Sequence, residues 1–334
     1  EHTRPGRDCS RFQENKALTS ALAELFTRHE DTLAAMQLVL AMLGMGATLR
    51  VADCGVIRLR PHALVIVLVA QYLVFPIVAA ALAYCLSLPA GIGLGLLVLA
   101  TMPSGALSNL FAYLGRGNLA LSVTCTLASM LACLLLTPLL LEWLGSTSAA
   151  KDFRMPTREV IEGIVLYLLI PLLGGMIVRR FSTTRHVQFS QWMVRGSMCV
   201  LALIVVGSLG TDRIDIWGYG LVTPAVLILF CVVQFTLIRR LTVRLRYPSA
   251  ESYTLAIEVS VRNGNLAILL SSTMYRVDSP SAHEMGSGTL YVALFYGAAS
   301  LVFAFVTIVL RRRRAARRAT SHGAALTTND ANSV

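Results

Sequence analysis

Apolar residues fill nine long runs of this chain, at roughly 33–49, 63–86, 91–114, 119–143, 160–178, 192–210, 217–238, 252–275 and 287–310. Runs of this length read as membrane-crossing helices, which need about 20 apolar residues each. The pattern predicts an all-α polytopic membrane protein with about nine transmembrane helices. Two runs are interrupted. The third carries Met102-Pro103-Ser104-Gly105, followed by polar Ser108 and Asn109, and the eighth carries Glu258, Arg262, Asn263, Gly264 and Asn265. Proline removes a backbone donor, and glycine between two asparagines favours a break, so both runs are predicted to be broken helices. One break falls in the first half and one near the end. That placement predicts an inverted-repeat core whose breaks cross near the bilayer centre, although direct similarity between the halves is faint.

The polar residues at that depth carry the functional reading. A carboxylate or guanidinium inside the membrane costs several kcal/mol unless it is paired, coordinates an ion or lines a wet cavity. Glu258 and Arg262 are four residues apart, so an ion pair on one helical face, acting as buried glue, is the competing structural account. Ser122 and Thr126 also share a helical face and could ligate a cation, or could simply bond back to the backbone. Gln71 stands five residues before Pro76, where its side chain could satisfy the backbone that the proline opens. Glu258, Ser108, Asn109, Ser122 and Thr126 together form an all-oxygen set, the chemistry that a hard cation such as sodium prefers.

Composition supports a membrane protein: 55% of residues are hydrophobic, mean hydropathy is +0.66 and only 14% are charged. The net charge is +11 and the pI about 9.7, but the arginines lie between the apolar runs, which reports topology rather than nucleic-acid binding. Every second connection is basic: Arg50, Arg58, Arg60 and His62, then Arg116, then Arg179, Arg180 and Arg185, then Arg239, Arg240, Arg244 and Arg246, then Arg311 to Arg314 with Arg317 and Arg318. The positive-inside rule then puts the N-terminus outside and the C-terminus in the cytoplasm, in a plasma or bacterial inner membrane. Residues 1–30 read as a polar extracytoplasmic segment, 31–311 as the transporter domain, and 312–334 as a basic, disordered cytoplasmic tail whose arginines act as a stop-transfer anchor. The chain opens at Glu1 rather than Met, without a recognisable signal peptide, and reads as processed or trimmed. Its cysteines lie mostly inside the apolar runs without C-x-x-C spacing, so neither a metal site nor a disulfide framework is predicted. The sequence carries no P-loop, G-x-S-x-G or H-E-x-x-H motif, and no enzymatic role or organic cofactor is expected.

Four motifs in order resemble one family, the bile acid:sodium symporters of the wider bile-acid and arsenite carrier group. They are G-M-G-A-T-L (44–49), Q-Y-L-V-F-P (71–76), P-S-G-A-L-S-N-L-F-A-Y-L-G-R-G-N-L-A-L-S-V-T-C-T (103–126) and I-E-V-S-V-R-N-G-N-L-A (257–267). The resemblance implies a core domain, at about 63–143 and 217–275, beside panel helices at about 33–49, 160–178 and 287–310. It implies a first sodium site on Ser108, Asn109, Ser122, Thr126 and Glu258. A second sodium site falls on Gln71, Glu258 and Arg262, with carbonyls near Val259 and Val261. Substrate contacts are expected from Ser104, Ala106, Asn263 and Asn265 near the crossing.

The chain departs from the family twice. Arg262 stands where the family has glutamine, and a guanidinium is all donor and cannot ligate a cation. It could replace one as a tethered charge beside Glu258, lowering coupling to one sodium or none, or it could grip an anionic substrate. Ala106 stands in place of a threonine hydroxyl. The expected function is sodium-coupled symport of an organic anion, bile-acid-like or a small carboxylate, by a monomer or weak homodimer. The alternatives are a sodium-independent or proton-coupled carrier or exporter of the same fold, and a receptor-like protein that binds without transport.

Overall fold

The structure, a computed structural model, describes residues 28–29, 32–49, 61–145, 157–182, 185–210, 219–275 and 280–331. Most of the expected N-terminal segment, and the connections that hold Arg50, Arg58, Arg60, Asp152, Asp212, Asp215 and Asp278, lie outside the described residues. The elements are α1 (Thr32–Gly46), α2 (Pro61–Cys85), α3 (Ala90–Thr101), α4 (Ala106–Leu114), α5 (Leu119–Gly145), α6 (Arg158–Phe181), α7 (His186–Gly210), α8 (Val222–Arg244), α9 (Ser249–Ser260), α10 (Gly264–Tyr275) and α11 (Pro280–Ala331). Among the described residues the chain is helical apart from one isolated antiparallel bridge between Ser104 and Arg262.

Among the described residues, six helices are long and apolar enough to cross a membrane: α2, α5, α6, α7, α8 and the Met285–Arg313 part of α11. The other three apolar runs take a different form. One is the shorter α1, and two are pairs of half-helices, α3 with α4 and α9 with α10. The last helix continues through the basic segment to Ala331, where sequence composition had pointed to a disordered tail. Its run of arginines and alanines has high intrinsic helix propensity and carries the span on.

Sequence chemistry explains the irregularities. Met102 precedes Pro103 and adopts the extended conformation that the proline ring imposes on its neighbour (φ −69°, ψ 145°), so α3 ends there. Val261 is also extended (φ −99°, ψ 93°) and ends α9. Asn263 then restarts the helix, because its Oδ1 accepts the Leu266 N–H at 3.2 Å in the manner of an N-cap. Two short π-helical turns, Ala70–Val74 and Ile164–Leu169, immediately precede the segments that carry Pro76 and Pro171. Each absorbs the backbone bond that its proline cannot make.

Two apolar clusters form the interior. One gathers Phe75, Ile92, Leu96, Phe230, Tyr253, Ile257 and Tyr296 between α2, α3, α8, α9 and α11. The other gathers Leu38, Met42, Met130, Ile164, Leu168, Leu266 and Leu270 between α1, α5, α6 and α10. Exposed Leu135, Leu139, Ile177, Val206, Val302 and Phe305 face outward, as lipid-facing side chains do.

Helices α1 and α6 touch backbone to backbone: a Cβ at Gly46 would lie 2.1 Å from the Leu172 carbonyl, and one at Gly175 2.3 Å from the Leu43 carbonyl. Gly46→Ala should therefore cost about 1–3 kcal/mol, the range for overpacking a tight contact. Gly297→Ala, inside α11 where a Cβ meets open space, should not lower the melting temperature in detergent. Equal melting temperatures for the two variants would refute the close packing.

Candidate cation and substrate site at the crossing of two breaks

The two interruptions meet and satisfy each other. Gly105 N–H donates to the Val261 carbonyl at 3.0 Å, and Asn263 N–H donates to the Pro103 carbonyl at 2.8 Å. Side chains take up the remaining groups that the breaks expose. Ser129 Oγ accepts the Ser104 N–H at 3.2 Å, Thr137 Oγ1 donates to the Thr101 carbonyl at 2.7 Å, and Tyr296 O–H donates to the Ser260 carbonyl at 2.6 Å. The Glu258 carbonyl accepts from Ser104 Oγ at 2.9 Å and from Gln71 Nε2 at 3.3 Å. Such pairing is what permits non-helical backbone at membrane depth.

Glu258 is fully buried in α9, with its carboxylate turned toward α4 and α5. Ser108 Oγ donates to Oε1 at 2.8 Å, Ser122 Oγ donates to the same oxygen, and Thr126 Oγ1 donates to Oε2 at 2.8 Å. Asn109 Oδ1 lies 3.3 Å from Thr126 Oγ1. The helical spacing of Ser122 and Thr126 puts both hydroxyls on the α5 face that meets Glu258. Each hydroxyl has lone pairs as well as a proton, so rotation converts this cage of donors into a set of oxygen ligands. The set fits a small hard cation, and no cluster of His, Cys, Asp or Glu suited to another metal occurs among the described residues.

Arg262 faces the other way. It is 5% exposed, and its Nε and Nη2 both donate to Gln234 Oε1, at 3.1 and 2.8 Å, while Nη1 donates to the Met102 carbonyl at 2.9 Å. Gln234 Nε2 in turn donates to the Tyr296 hydroxyl at 2.9 Å. The chain Met102–Arg262–Gln234–Tyr296–Ser260 ties the first break to α8, α11 and the end of α9. No ion pair joins Arg262 to Glu258 among the described residues. Four-residue spacing brings side chains together only on a continuous helix, and this one ends at Ser260.

Residues 35–216 match the Sodium Bile acid symporter family. The chain belongs to that family. It is 30% identical over 241 residues to the uncharacterized sodium-dependent transporter YocS of Bacillus subtilis, covering 70% of this chain and 72% of the relative. It is 29% identical over 234 residues to the probable sodium/metabolite cotransporter BASS1, chloroplastic, of Oryza sativa subsp. japonica, covering 69% of this chain and 56% of the relative. It is 29% identical over 167 residues to the human hepatic sodium/bile acid cotransporter, covering 49% of this chain and 46% of that protein. The family is one of transporters, not of enzymes.

Within this symporter-family chain, the residues expected at a first sodium site, Ser108, Asn109, Ser122, Thr126 and Glu258, come together as one cluster. Those expected at a second site divide. Gln71 lies in the π-helical turn of α2 and reaches the crossing, where Nε2 donates to Ser104 Oγ at 2.7 Å as well as to Glu258 O, rather than to backbone opened by Pro76. Its Oε1 is buried without a partner. Val259 and Val261, which follow Glu258 in sequence, are buried, the Val261 carbonyl already taken by Gly105, and the Arg262 guanidinium points to α8. Of the expected substrate contacts, Ser104 is bonded within the crossing, Asn263 is buried with Nδ2 unpartnered, Asn265 is half-buried in the first turn of α10, and Ala106 opens α4. Sequence reasoning missed Gln234, Tyr296, Ser129 and Thr137. The available signal was a lone glutamine, Gln234, inside an apolar run.

Gln234→Leu should strand the guanidinium and destabilise the protein by about 2–4 kcal/mol, since a buried charge loses its acceptor. Adding Arg262→Met should recover most of that loss by removing the charge itself. Additive losses in a thermal unfolding cycle would contradict the coupling.

Proposed function

We propose that this chain is a secondary active transporter that moves an organic anion together with one sodium ion by alternating access. The observation that carries the reading is the buried Glu258 carboxylate, held by hydroxyls from α4 and α5 directly beside two crossing breaks, in a member of a sodium symporter family. Sodium binds at Glu258, Ser108, Asn109, Ser122 and Thr126, where it neutralises a carboxylate that has no basic partner within ion-pair distance. The breaks belong to an inverted-repeat core of crossing half-helices, flanked by a panel of α1, α6 and α11, with the N-terminus outside and the basic end of α11 in the cytoplasm. The Asn263 Nδ2 donor faces the substrate, with Asn265, Ala106 and Ser104 nearby, and it favours an acceptor-rich, anionic head group.

Arg262 takes the place of a second sodium. Its guanidinium binds Met102 O at the break and remains there as a permanent cation, bound to neutral oxygens only. A second reading, in which Glu258 takes a proton and the carrier is independent of sodium, is favoured by the full burial of that carboxylate without a basic partner in ion-pair distance among the described residues.

An ion that binds only the folded state must stabilise it. Sodium at a hundredfold excess over its dissociation constant should add about 2.7 kcal/mol to the stability of the wild-type protein, whereas potassium at equal ionic strength should not. Glu258→Ala should abolish the response and Arg262→Gln should steepen its dependence on sodium. A wild-type protein indifferent to sodium, with a response gained only in Arg262→Gln, would establish the sodium-independent reading instead.

A further inference from the structure

The basic end of α11 reaches across the bundle to both half-helices that carry the carboxylate cage. Arg311 Nε donates to the Gly115 carbonyl at 2.8 Å, at the end of α4. Its Nη1 donates to Ser249 O at 3.1 Å and to Ser249 Oγ at 3.0 Å, at the start of α9, and its guanidinium stacks 4.9 Å from the Tyr253 ring centroid. Arg312 forks onto the Leu114 carbonyl from Nε at 3.2 Å and Nη2 at 2.8 Å. A helix C-terminus presents unpaired carbonyls and a partial negative charge, so the end of α4 is a natural seat for two guanidinium groups.

The turn between α4 and α5 closes tightly over the same point. Asn118 N–H donates to Thr254 Oγ1 at 2.8 Å, and the Tyr253 ring leaves no room for a Cβ at Gly115, which would meet it at 2.2 Å. Thr254 lies one helical turn before Glu258, and Asn118 one turn before Ser122. The clamp therefore lies directly beneath the cage, on the side where the described basic ends of α4, α8 and α11 gather.

We infer that Arg311 and Arg312 are positioning residues that hold the end of α4 against the start of α9, to which Asn118 ties the start of α5, and so close the arginine-rich side of the Glu258 cage. This rests on the transporter reading, in which that side opens and shuts during the cycle. Opening requires the guanidinium groups to leave the Gly115, Leu114 and Ser249 oxygens. Water can replace each of these bonds at the exposed end of α11, so the closure is reversible.

The test uses the native thiol Cys125, buried between Ser122 and Thr126. Alkylation of Cys125 by a maleimide, followed site by site in the purified full-length protein by peptide mass mapping, should be roughly tenfold or more faster in Arg311→Gln, the factor expected from losing a charge-assisted hydrogen bond. Arg311→Lys, which keeps the charge but not the fork, should fall between. Arg312→Gln, at an exposed residue, should fold normally and give a smaller acceleration in the same direction. The sodium concentration for half-maximal stabilisation should rise in parallel, because the closed state is less populated. Unchanged Cys125 reactivity in Arg311→Gln and Arg312→Gln would overturn the clamp, even where wild-type protein is stabilised by sodium. Faster reactivity with no sodium response in the wild type would uphold the clamp and sink sodium symport.

Discussion

Backbone that leaves the helical path inside a membrane must find every hydrogen bond within the protein. This constraint governs the whole centre of the molecule. Two helices break at one level, and the unpaired groups of each break are met by the other and by side chains from α2, α5 and α11, while α8 anchors the Arg262 side chain. The crossing is thus a joint on which most of the long helices converge, and the buried polar residues of those helices are explained by what the joint leaves open. Ser129, Thr137 and Tyr296 fit nowhere in an account based on apolar packing alone, yet each answers a specific carbonyl or amide.

Electrostatics divides the joint into two faces. On one, Glu258 collects hydroxyl donors from α4 and α5. On the other, Arg262 collects neutral acceptors from α3 and α8. The charges do not neutralise one another directly, because the helix that carries Glu258 ends at Ser260 and the extended Val261 turns Arg262 away. Each therefore retains its own chemistry: a carboxylate ready for a small cation, and a guanidinium occupied as a brace. Satisfied polar networks of this kind rigidify the elements they connect.

Much of this was legible in the sequence for a simple reason. Breaks come from local chemistry, and Pro103 and the Asn-Gly-Asn stretch announce themselves without knowledge of the fold. The grouping of Glu258 with Ser122 and Thr126 was also legible, since helical spacing aligns the two hydroxyls and burial of a carboxylate demands partners. The direction of Arg262 was not. Four-residue spacing implied an ion pair only while the helix was taken to continue, and the true partner, Gln234, is 28 positions earlier on another helix. The nine apolar runs were real, but hydropathy alone did not separate whole helices from halves, because the residues at each break are few and their flanks equally apolar.

The guanidinium of Arg262 is covalently part of the chain, so it cannot dissipate an ion gradient. A cation that never leaves contributes nothing to the free energy available for uphill movement, whereas each sodium crossing a potential of 100 mV contributes about 2.3 kcal/mol from the voltage alone. On the proposed stoichiometry, one sodium crosses with one singly charged anion and the cycle carries no net charge. Such a carrier would be driven by concentration differences and be blind to membrane voltage, an electrical character fixed by a single side chain.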